Sequence, residues 1–289
     1  MSKPENQPHI VEDLVEPVNR YINTPIAAAI VKFLKRTPVT PNQVTFVSII
    51  IGLISAYRFS LGTGLSIVQG GLLLEAVMIL DCVDGQLARA KQCSSDWGRL
   101  LDGIAGYIIY LAVLLGIMVG LKNYYVALSV IGVVTILKAI SYDYFKLSMN
   151  TLIQKGYDGS QKEIYDTYQK IRGNSSFILT LYFYYLQVQQ TLFGGRWCTL
   201  DSFGEKTDPP PDEYLLNQEQ REQYRNNSRT LIAVWSWNGV DFPLFLLAGS
   251  AIFGILEPSL VPLAFLLTSQ YLLTMLYHAL KNTSVHAGN

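Results

Sequence analysis

Residues 103–120, GIAGYIIYLAVLLGIMVG, contain no charged side chain, and several comparable runs recur along the 289 residues. An apolar run near 20 residues is what spans the ~30 Å hydrocarbon core of a bilayer as a helix. Inside hydrocarbon the backbone has no water to bond, and a helix satisfies its N–H and C=O groups within one segment. Such runs lie at about 41–60, 65–90, 97–120, 124–147, 241–258 and 260–280. Half of the residues are hydrophobic and only 15% are charged, with a mean hydropathy of +0.24. The expected class is an all-α integral membrane protein with about six transmembrane helices.

The chain is expected to begin with a cytoplasmic N-terminus and an amphipathic interfacial helix within residues 1–40. Between 11 and 36, Val15, Val18, Ile22, Ile26, Ile30 and Leu34 alternate with Glu16, Arg20, Lys32, Lys35 and Arg36. That pattern suits a helix lying in the interface, with an ordinary surface helix as the plainer alternative. Thr24-Pro25 reads as an N-cap with proline at the first helical position, and Thr40-Pro41 as the start of the first span. No apolar stretch near the start resembles a cleavable signal. Residues 41–150 then hold the first four spans. Residues 151–240 form a hydrophilic cytoplasmic insertion, with a short apolar helix at 175–192 lying on or dipping into the bilayer. The last two spans occupy 241–281, and 282–289 is a tail.

Lys and Arg cluster before the first span, between the second and third (Arg89, Lys91, Arg99) and after the fourth. By the positive-inside rule these connections face the cytoplasm. Zero net charge gives no basic field, so nucleic acid is not an expected partner. The three cysteines, Cys82, Cys93 and Cys198, lack the spacing of a disulfide framework or a zinc site.

Asp81, Asp84 and Asp102 are the costly residues, since carboxylates at membrane depth need a wet cavity or a partner. Asp81 and Asp84 are three apart and share a helical face. Asp102 begins the next, antiparallel helix and can be brought opposite them. Converging carboxylates suit a hard divalent cation such as Mg²⁺ or Mn²⁺, which commonly bridges to substrate phosphates. Gly85 and Ala88 lie beside the two acids, and Gly98 and Gly106 bracket Asp102 at four-residue steps. This lane of small residues either admits a ligand or packs helix on helix.

The spacing Asp81-x₂-Asp84-Gly85-x₂-Ala88-Arg89-x₈-Gly98-x₃-Asp102 resembles the signature of the CDP-alcohol phosphatidyltransferases, D-x₂-D-G-x₂-A-R-x₈-G-x₃-D-x₃-D. TPNQVT at the head of the first span is similar to a segment that members carry there. The resemblance implies transfer from a CDP-linked lipid or alcohol donor to an alcohol acceptor, with release of CMP, at the cytoplasmic face of the bilayer. It implies a two-metal site held by Asp81, Asp84 and Asp102. It also implies a nucleotide site including Gly85, Ala88, Arg89, Gly98, Ser95 and Asn42, and a homodimer. Arg89 would pair with phosphate, because its fork binds two oxygens at once.

One signature position departs. Gly106 stands where the family carries the aspartate that serves as shared metal ligand and general base, and losing a general base costs roughly 10²–10⁴-fold in rate. Three readings follow: an active branch with another base or a less demanding acceptor, a pseudoenzyme that binds CDP-linked lipid and metal, or an inactivating substitution. Lys138 and Lys146 are candidates for holding an anionic acceptor, against a snorkelling or ion-paired Lys138. Asp143 and Asp241 are further intramembrane acids. A cation transporter is the rival from another class, supported only by Glu75 two turns from Asp81. His9, His278 and His286 are scattered and do not suggest a site.

Overall fold

The computed structural model describes residues 12–93, 96–173, 176–194 and 215–286, without the side chains of 96–97, 99–102, 161 and 282–286. Among the described residues every regular element is helical. The chain divides into two compact units, one of residues 16–136 and 239–289, the other of residues 1–15 and 137–238.

The first unit opens with a π-helical turn, Asn19–Asn23, that runs directly into α1, Thr24–Leu34. Thr24 is helical and its N–H reaches back five residues to the carbonyl of Asn19. Thr24-Pro25 is therefore not the helix start expected from the sequence. The wider π turn lets the helix pass Pro25, whose ring would otherwise crowd the carbonyl four residues back.

Next come α2, Pro41–Ser60, and α3, Gly64–Ala90. Both start in complete capping boxes, Thr40 with Gln43 and Thr63 with Ser66. Each box satisfies two N–H groups that a helix start leaves orphaned. α4 is Asp96–Gly120, and α5, Tyr125–Lys155, begins in this unit. The unit closes with α9, Asp241–Ile252, and α10, Leu256–His286.

α2 packs against both α3 and α4, and α9 packs against α3. Phe59, Leu74, Met78, Val113, Ile117 and Leu247 lie in the shared core. Between lipid-embedded helices, close van der Waals packing replaces the hydrophobic drive, so small residues mark the tight crossings. Gly116 and Gly120 of α4 press against the backbone carbonyls of Ala56 and Phe59, where any Cβ would collide. The outward faces stay apolar, with Phe46, Leu53, Leu72, Leu115, Phe265 and Leu273 exposed. On a membrane protein that surface is the one lipid covers.

The second unit holds the rest of α5, α6 (Ser160–Gly173), α7 (Phe177–Phe193) and α8 (Gln218–Trp235). Ile164, Phe183 and Leu186 join α6 to α7. The amide of Gln189 donates to the carbonyl of Ile140 at 3.1 Å, and Phe145 stacks on Trp235 with centroids 4.4 Å apart. Tyr142 donates its hydroxyl to the carbonyl of Leu14.

Among the described residues five helices are long and apolar enough to cross a membrane: α2, α3, α4, α5 and α10. A sixth span exists if the segment Gln218–Asn238 and α9 count as one. The expected span at 241–258 is interrupted, because α9 ends at Ile252 and Gly254 turns the chain at φ +69°. Its 12 residues cover only about 18 Å. α5 exceeds its expected end and runs to Lys155.

Candidate active site on α3 and α4

One side of the last three turns of α3 is packed and the other is open. Val83 and Leu87 are fully buried against Ala27 and Val31 of α1 and Val44 of α2. Asp81 and Arg89 are exposed, while Gly85 and Ala88 are half-buried. The signature residues Asp81, Gly85, Ala88 and Arg89 thus occupy the less crowded side. A Cβ added at Gly85 would meet only Nη1 of Arg89, 3.6 Å away.

Asp84 differs from its neighbours, being 4% exposed. A buried carboxylate needs compensating donors. Thr45 of α2 supplies one, donating its hydroxyl to Oδ2 at 2.6 Å. Within TPNQVT nothing but its position singles out Thr45. The available signal was position, since Thr45 lies three residues after Asn42 and so shares its side of α2. Asn42 itself is exposed in the first turn of α2, directly inside the capping box.

Four further bonds set the end of α3. Gln86 donates to the carbonyl of Thr24 at 3.0 Å. Lys91 donates to the carbonyls of Thr37 and Val39, each at 2.7 Å. The thiol of Cys82 lies 3.5 Å from Oδ1 of Asn19 as donor. The signature helix is therefore tied to the π turn, to α1 and to the link before α2. None of these partners is apparent from the motif.

On α4, Asp102 falls in the second turn, one turn after the half-buried Gly98 and one turn before Gly106. The side chain of Asp102 and all of Ser95 lie outside the described residues. Gly106 is exposed, and a Cβ there would meet no atom within 4 Å. Gly103 is equally open. The packing explanation for small residues thus applies to Gly116 and Gly120, not to Gly85 or Gly106.

Among the described residues no group of three Asp, Glu, His or Cys side chains could hold a metal ion. The expected trio needs Asp102 beside Asp81 and Asp84. The donors present fit a hard cation in kind: two carboxylates one turn apart, one of them buried and oriented by a hydroxyl.

Lys138 and Lys146 belong to the second unit. Lys138 is fully buried, so it does not snorkel to an interface. Nζ of Lys146 sits 4.9 Å from the centre of the Tyr142 ring. Asp143 accepts the hydroxyl of Tyr185 at 2.7 Å.

Fold and site together define a polytopic α-helical membrane protein with a carboxylate-bearing helix pair at one end of its spans. The family profile described as CDP-alcohol phosphatidyltransferase matches residues 38–199, more than half of the chain. The chain belongs to the CDP-alcohol phosphatidyltransferase family. The family is generally dependent on a divalent metal.

Over 87 residues the chain is 39% identical to the bifunctional IPC transferase and DIPP synthase of Thermococcus kodakarensis, covering 30% of this chain and 19% of that one. The protein of the same description in Archaeoglobus fulgidus is 41% identical over 87 residues, 30% of this chain and 16% of that one. The archaetidylinositol phosphate synthase of Pyrococcus horikoshii is 34% identical over 89 residues, 31% of this chain and 46% of that one. The matches span less than half the length of each of these relatives.

Proposed function

We propose that this protein transfers a phosphatidyl or phospho-alcohol group from a CDP-linked donor to an alcohol acceptor, as a step of phospholipid synthesis. The observation that carries the proposal is the signature from Asp81 to Asp102 on α3 and α4, within the segment that matches the family. The acceptor oxygen forms a bond to the β-phosphorus of the donor, the β-phosphorus–oxygen bond breaks so that CMP leaves with the electron pair, and the hydroxyl proton passes to solvent water. Asp81, Asp84 and Asp102 would hold Mg²⁺ or Mn²⁺, one ion or two, which neutralises the pyrophosphate and stabilises the departing CMP.

The remaining roles fall to the chain's own side chains. Thr45 orients the Asp84 carboxylate. Gly85 and Ala88 leave room for the nucleotide, with Ser95, Gly98 and Asn42 beside it. Arg89 takes donor phosphate through its planar fork. Lys138 and Lys146 are assigned to an anionic acceptor. The names of the relatives, IPC transferase and archaetidylinositol phosphate synthase, bring inositol phosphate into the set of acceptors to test. The site faces the cytoplasm by the distribution of Lys and Arg, and the protein acts as a homodimer.

A second reading, a protein that binds CDP-linked lipid and metal without turnover, is favoured by Gly106. CMP release decides between them, measured in detergent with Mg²⁺ or Mn²⁺, CDP-diacylglycerol, CDP-choline or CDP-ethanolamine, and pooled alcohols with inositol phosphate. Activity that disappears in Asp84→Asn supports the transferase. Metal-dependent CDP binding with no CMP release from any pair supports the second reading.

A further inference from the structure

We infer that Asn19 is a positioning residue for the metal-binding turn of α3, acting as a bridge between that turn and the N-terminus of α9. The inference rests on the reading of Asp81 and Asp84 as metal ligands. It concerns residues outside the family signature, all of them within one compact unit.

The fixed end of the bridge is α9. Its N-cap, Val240, has no side chain able to bond the orphaned N–H groups. Glu16 substitutes from 225 residues away, accepting the N–H of Asp241 on Oε2 at 3.1 Å. The carboxylate lies where a Cβ on Gly239 would fall, so only glycine leaves space for it. Glu16 is 8% exposed, and an anion at a helix N-terminus is favoured by the helix dipole. Asp241 is thereby held from its own backbone.

Asn19 joins this anchor to α3. Its amide Nδ2 donates to Oδ2 of Asp241. Its Oδ1 accepts from Nδ2 of Asn23 at 2.9 Å and from the thiol of Cys82 at 3.5 Å. Asn19 and Asn23 are the two ends of the π turn. Asn23 is fully buried, so its amide braces Asn19 from inside the fold. Cys82 follows Asp81 directly and precedes Asp84 by two residues. A contact at Cys82 fixes the rotation of the turn that carries both acids, from the side opposite Thr45. Asp241 also lies within electrostatic reach of Cys82 and of Glu75, both on α3. Helix-borne ligands must keep their setting within fractions of an ångström, which is the reason outer partners matter to metal affinity.

The test exchanges donor and acceptor between the two residues. Asn19→Asp alone sets two carboxylates against each other, whereas Asp241→Asn alone still presents an amide oxygen that accepts from Nδ2 of Asn19. Combined, they restore the three bonds of Asn19, because the introduced aspartate still accepts from Asn23 and Cys82 while the introduced asparagine donates. Mn²⁺ binding is measured by electron paramagnetic resonance on the full chain in detergent, with CMP release alongside.

Asn19→Asp is expected to weaken Mn²⁺ binding about tenfold, the lower end for loss of an outer partner, and Asp241→Asn to change it little. The pair is expected to recover the original affinity. Asn19→Asp binding as the original does would overturn the inference, as would a pair no better than Asn19→Asp alone. If the charged single variant does not fold, Asn19→Ala serves: a tenfold loss in a monodisperse sample supports the bridge, and unchanged affinity refutes it. Absence of Mn²⁺ binding in the original chain would refute the metal reading and the bridge together. Affinities that follow the cycle without any CMP release would refute only the proposed activity.

Discussion

Gly116 and Gly120 on α4 touch the carbonyls of Ala56 and Phe59, whereas Gly106, nearly three turns before Gly116, faces open space on the same helix. The first pair is glycine because α2 comes too close for a side chain. Gly106 is glycine without any steric demand, at the position where the family signature has an aspartate. One residue type therefore reports packing at one end of α4 and a departure from the family signature at the other. The surroundings of each glycine, not its spacing, separate the two.

The sharpest way to break this comparison is Gly106→Asp. The open space accepts the side chain, and a general base at that position is expected to raise CMP release by about 10²–10⁴-fold. An unchanged rate would mean that the present chain already has another base. Substituting alanine at the two ends of α4 sharpens the contrast. Gly116→Ala is expected to cost about 1–3 kcal/mol, read as a lower midpoint of thermal unfolding in detergent. Gly106→Ala is expected to stabilise by about 0.5–1 kcal/mol, the usual helical preference for alanine. Equal effects would show that both ends are packed alike.

A smaller effect is expected on α2. Thr45→Val keeps the shape and removes the hydroxyl that reaches Asp84. Mn²⁺ affinity should fall about tenfold with little change in expression, as for other outer partners of metal ligands. Retained affinity would show that Asp84 is oriented without α2.

Much of the helical outline is legible along the chain because its causes are local. Thr40, Thr63 and Asn217 cap helices through partners three residues away. The three-residue step from Asp81 to Asp84 fixes their common side through the helical repeat alone. The local rules fail at Thr24-Pro25, where an N-cap and proline look like a beginning. The preceding π turn carries the helix through instead. They fail again at 241–258, where an apolar run conceals the turn at Gly254.

By itself the sequence determined the membrane class, the family signature and the order of the acids on their helix, since each depends on composition or on neighbours within one turn. Only the tertiary structure decided that Thr45 holds Asp84 across 39 residues and that Glu16 caps α9 across 225. It also decided that Gly106 faces space while Gly116 does not. Those facts depend on which helices lie side by side and how closely. Their separation in the chain leaves no periodic trace, because a hydrogen bond between distant helices is set by packing and not by the repeat of either one.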